Sequence, residues 1–153
     1  MPQQLIVTIV DDEAHRGVLR NNIFHLKQFN LLEASLVVNE VHELQEMYKL
    51  NMTEGNKVDL YEHFLENTEI SNDDREFGIT MDYYYGGSFM LAWDRTLDNC
   101  NRFHRHVIDS GLLSINLKTL VPIDKTVVVI VCIYAMYVKD LIIDGDKIIT
   151  EAF

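Results

Sequence analysis

VVVIVCIYAMYV, residues 127–138, is the longest apolar run in the chain, and it limits the folds that can hold it. As a helix it would reach only about 18 Å, well short of the roughly 30 Å of a bilayer's hydrocarbon. Its valines and isoleucines favour an extended backbone. Odd and even positions are equally apolar, so the run predicts a strand covered on both faces, at the centre of a sheet. Just beyond it, Asp144-Gly145 separates Leu141–Ile143 from Lys147–Ile149, which is a hairpin signal. At the other end of the chain, Leu5–Val10 (LIVTIV) predicts a second buried strand, and 32–38 a third.

Helical spacing occupies the ground between these strands. Asp11-Asp12 can cap a helix at about 13–28, with Leu19, Ile23 and Leu26 inward. Asn39 can cap another at about 40–50, burying Leu44, Met47 and Tyr48 and turning Glu40, Glu43 and Glu46 outward. A third, at about 57–68, buries Tyr61, Phe64 and Leu65 and exposes Asp59, Glu62 and Glu66. Residues 71–74 read as a loop, and Gly86-Gly87 reads as the turn of a hairpin between Phe77–Tyr85 and Ser88–Trp93. Asp94 can cap a fourth helix, with Leu97, Cys100 and His104 inward and Gly111 ending it in the left-handed conformation. Residues 112–123 show no single period. The expectation is an α+β fold: a single compact domain over 1–153, with a mixed, mostly antiparallel sheet, about four helices and an acidic helical segment at 40–76.

Composition agrees with a packed domain. Hydrophobic residues are 48% of the 153, while Gly and Pro number only 7 and 2. The N-terminus lacks a basic segment ahead of an apolar one, so no secretory signal is expected. Cys100 and Cys132 form no disulfide framework, and a reducing cytoplasm is the simplest setting.

Charge points to function. The chain carries a formal net charge of −11, and 14 carboxylates against 4 Lys and Arg between Glu40 and Asp98 account for −10 of it. Within that stretch Asp59, Glu62, Glu66, Glu69 and Asp73 recur at steps of three and four, the spacing of one helix face. Like charges so placed repel, by about 0.2–0.5 kcal/mol per pair. Such acidity disfavours nucleic acid and anionic membranes as ligands and favours a basic protein surface. The expected partner is a nucleic-acid-binding protein, met by Glu43, Glu46, Asp59, Glu62, Glu66, Glu69 and Asp73 in place of phosphates. Small acidic proteins of this kind are a common viral or mobile-element strategy, so a viral protein is the expectation. No P-loop, Gly-x-Gly-x-x-Gly, Gly-x-Ser-x-Gly or His-Glu-x-x-His is present, so a non-enzymatic binding or inhibitory protein without a cofactor is the expectation.

Three other readings compete. Residues 5–23, LIVTIVDDEAHRGVLRNNI, resemble the start of a response-regulator receiver domain. That resemblance implies Mg²⁺ held by Asp11 and Asp12 and a phospho-switch. The family's phosphoacceptor Asp after an apolar third strand has no counterpart, since Asp59 lies in Lys57-Val58-Asp59-Leu60, and no Lys-Pro closes a fifth strand. Second, Asp11, Asp12, Glu13 and His15 offer hard ligands to a divalent ion in a metal-dependent enzyme, although a capped strand–helix junction already explains three of them. Cys100 and His104 make half a zinc site, without a second pair. Third, Tyr83-Tyr84-Tyr85, Phe89 and Trp93 suggest an aromatic hairpin that packs on the core or, in an assembly subunit, on another chain.

Overall fold

The computed structural model describes residues 1–39, 41–50, 57–68, 70, 78–96, 110–123, 127–137, 141–143 and 149–151. The described residues form three antiparallel sheets and three helices. β1 (Gln4–Asp11) lies between β4 (Leu91–Asp94) and β6 (Val129–Met136). β2 (Leu31–Val38) lies between β3 (Val41–Lys49) and β5 (Leu113–Thr119). β7 (Leu141–Ile143) pairs with β8 (Ile149–Glu151). The helices are α1 (Asp12–His15), α2 (Lys57–Asn67) and α3 (Met81–Gly87). The α+β expectation therefore holds, with antiparallel ladders throughout the named strands. The expected fourth helix, with Cys100, His104 and His106, lies at 97–109, outside the described residues.

The buried core joins both larger sheets. Leu5, Val7 and Ile9 of β1, Ala34 and Leu36 of β2, Leu60 and Phe64 of α2, Tyr84 of α3 and Leu91–Trp93 of β4 belong to one cluster. Leu5 stands opposite Trp93 on one side and Ala135 on the other. β1 is the strand buried on both faces, with Leu5, Val7 and Ile9 on one and Gln4, Thr8 and Val10 on the other, whereas the longer apolar run, expected at the centre, forms β6, which among the described residues pairs with β1 alone. Periodicity reports that both faces of a strand are apolar; it cannot say whether the chain itself supplies the cover.

Four further expectations are corrected. The helix at 13–28 stops after one turn, because Gly17 (φ 77°) closes a Schellman motif: Gly17 N–H donates to Ala14 O and Val18 N–H to Glu13 O. Leu19 and Ile23 are consequently exposed. Where a helix was expected at about 40–50, Val41–Lys49 form strand β3, and Asn39 (φ 50°) is a turn residue between Val38 and its partner Val41. Its tolerance of positive φ serves a tight hairpin as readily as its amide serves a helix cap. Residues 81–87 are not a strand but α3, capped by Thr80, whose Oγ1 accepts from Tyr83 N–H; Gly86 and Gly87 end that helix instead of turning a hairpin. Gly111 has no positive φ; its value is space, since a Cβ there would lie 2.1 Å from Asn39 Oδ1. The expected hairpin near Asp144-Gly145 does form, but Ile143 pairs with Ile149, so 144–148 separate its strands.

Candidate functional site

The acidic face rests on α2, the expected helix at 57–68 found almost residue for residue. Leu60 and Phe64 are buried, with Tyr61 and Leu65 partly so, and these positions form one stripe. Phe64 and Tyr61 stack on Tyr84, with ring centroids 5.1 and 5.5 Å away. Tyr61 donates its hydroxyl to Ile79 O at 2.6 Å. At the C-terminal end, Asn67 Nδ2 donates to Ala92 O (2.8 Å) and to Tyr48 Oη (2.7 Å), while Gln4 Nε2 donates to Asn67 O (2.6 Å). Thr68 Oγ1 donates to Phe64 O (2.6 Å), satisfying a last-turn carbonyl. Both ends and the inner stripe of α2 are therefore fixed to β1, β3, β4 and α3.

The opposite face carries Asp59, Glu62 and Glu66, all exposed. No Lys or Arg among the described residues forms an ion pair with any of them; His63 Nδ1 stands 3.7 Å from Glu66 Oε2. At the N-terminal end, Tyr85 donates its hydroxyl to Lys57 O (2.5 Å), and Lys57 Nζ lies 5.3 Å from the Tyr85 ring centroid. Burial, and then the negative charge of Asp59, pushes the Tyr85 phenol up to about 12. Burial raises the Tyr84 phenol further, with Tyr85 and Tyr48 adding to it, and its hydroxyl donates to Met90 O.

The other expected contact residues divide. Glu43 and Glu46 belong to β3, in the segment where the β2–β3 register shifts, and so do not extend a helical row. Glu69 and Asp73 lie outside the described residues. Among the described residues, the helical row consists of the three acids of α2.

Asp11 and Asp12 are held by nearer partners. Asp11 Oδ1 accepts from Glu13 N–H (3.1 Å) as the N-cap of α1, and its Oδ2 lies 3.8 Å from Lys27 Nζ. Asp12 Oδ2 pairs with Arg16 Nε at 2.8 Å. Among the described residues no three His, Cys, Asp or Glu side chains gather into a metal-sized group. β1 also runs antiparallel to both neighbours, whereas a receiver domain is built on a parallel doubly wound sheet. The aromatic hairpin is likewise replaced: Tyr84, Phe89 and Trp93 are core side chains.

One arrangement had no sequence signal. Asn22 and His25, from the chain after α1, face Asp82, Tyr83 and Ser88 across an open cleft of about 560 Å³. A parallel bridge of Leu26 with Ser88 joins the two walls, and Gly87 admits His25, whose Cδ2 would lie 2.9 Å from a Cβ at that position. Residues some sixty positions apart meet here, so spacing within one element could not reveal them. No helix among the described residues is long and apolar enough to cross a membrane. Comparison of the chain with protein families, with characterised proteins and with solved structures finds no match.

Proposed function

We propose that the protein is a non-enzymatic acidic binding or inhibitory protein, acting in the cytoplasm, that offers the outer face of α2 to a basic surface on a nucleic-acid-binding protein. One observation carries this reading. Asp59, Glu62 and Glu66 stand exposed on a helix anchored along its inner stripe and at both ends, and no Lys or Arg of the described residues neutralises them. Leaving them unopposed costs helix stability, because side chains at these steps lie about 5–6 Å apart and repel. A cationic partner turns that cost into attraction and speeds encounter. A fixed helix presents the charges without an ordering penalty on binding.

The test is capture of partners by the wild-type chain and by a Glu62→Lys, Glu66→Lys variant, at low and high salt and with competing duplex DNA. A partner lost to charge reversal, to salt and to DNA supports the reading. A partner retained by the reversed variant at high salt overturns it.

A further inference from the structure

We propose that the free edge of β6 is completed by β6 of a second copy of this chain, antiparallel about a two-fold axis, so that two β4-β1-β6 sheets become one of six strands. Among the described residues β6 pairs only with β1, which leaves the backbone groups of its other edge for a strand to meet. Its eight residues, VIVCIYAM, contain no charge and no proline, and they pair with β1 without a register shift. Those are the devices by which exposed edges normally avoid pairing. The edges of the other sheet have them: β5 turns Ser114, Asn116 and Lys118 outward, and β3 carries charges and a register shift.

The side chains identify the occupant. Ile133 (53% exposed) shares the face of core residue Val7, which it opposes, while Tyr134 (64%) and Met136 (45%) lie on the other face, opposite Ile6 and Gln4. A partner strand must therefore be apolar on both faces, as β6 itself is. Val131, Tyr137 and Val128 are exposed beside them, and a second β6 brings the same apolar set against this one. The assembly closes at two, because the sheet's far edge is β4, four residues long, with Leu91–Trp93 buried and α2 packed against it.

Sedimentation of the full chain over a concentration series tests this, alongside the Tyr134→Lys and Ile133→Lys variants. The wild type is expected to pass from monomer to dimer, and each variant to stay monomeric with an unchanged far-ultraviolet spectrum. Each copy carries −11, so self-association is expected to strengthen with salt, the opposite of the α2 interaction. Amide exchange in wild-type 129–136 is expected to slow several-fold or more as the dimer forms. A wild type that stays monomeric at high concentration, a dimer indifferent to both substitutions, assemblies that grow past two copies, or β6 amides insensitive to concentration would each overturn the proposal.

Discussion

Replacing Glu62 by Gln is expected to stabilise the fold. Glu62 is the middle acid of the α2 face, three residues after Asp59 and four before Glu66. Each like-charged pair at those steps costs about 0.2–0.5 kcal/mol, and neutralising Glu62 removes both, a gain of about 0.4–1 kcal/mol. Little opposes it. Glu and Gln have similar helix propensities, Glu62 lies mid-helix, away from the end charges of the macrodipole, and no cation among the described residues loses a partner. Urea unfolding reads the change: with a slope of about 1–3 kcal/mol per molar, the midpoint should rise by a few tenths molar at low ionic strength. In about 1 M salt, where the screening length falls to roughly 3 Å, the gain should largely vanish. Glu33→Gln is the contrast. Glu33 Oε2 lies 3.2 Å from Lys118 Nζ across the β2–β5 ladder, so its neutralisation should be neutral or destabilising by up to about 1 kcal/mol. A Glu62→Gln variant less stable than wild type, or a gain unaffected by salt, would show that the α2 acids are compensated and refute the reasoning.

Phe64→Ala should cost about 3–5 kcal/mol in urea unfolding, because a buried ring that packs on Tyr84 leaves a cavity under α2. Gly111→Ala should cost about 1–3 kcal/mol, since the new methyl displaces an amide whose Oδ1 accepts from Leu112 N–H at 3.0 Å. Asn39→Gly in the same chain should restore most of that loss, by clearing the clash while tolerating the positive φ, and a denaturant-midpoint cycle checks it. Tyr85 makes stability fall at high pH. Below its unfolded value of 10 both states keep the proton and its contribution is complete; from 10 to about 12 the unfolded state releases the proton first, so the contribution declines and is lost beyond. Unfolding midpoints between pH 9 and 12 should accordingly fall less steeply for Tyr85→Phe than for wild type.

Several elements were legible because their signals are local. α2 shows its stripe within eleven residues, and β1 is a continuous apolar run bounded by a capping Asp. Asn39 and Gly86-Gly87 were misread because each residue type serves more than one turn geometry, and the neighbouring strand or helix selects among them. Among the described residues the acidic face was legible over Asp59, Glu62 and Glu66, where the helix is real; Glu43 and Glu46 lie on a strand, whose period is two. The His25–Asp82 cleft was invisible, since chain reversals after α1 bring its walls together.

The amino-acid order alone determined the mixed α+β class, the strong negative charge and the apolarity of both strands β1 and β6, because these depend on residue type and near-neighbour spacing. Tertiary structure decided which of those two strands is enclosed. β1 receives β4 and β6 on its two edges and is buried on both faces, whereas β6, among the described residues, has a strand on one edge only and holds apolar side chains in solvent. Two similar strings of valine and isoleucine ask for the same burial, and only the path of the rest of the chain distributes it.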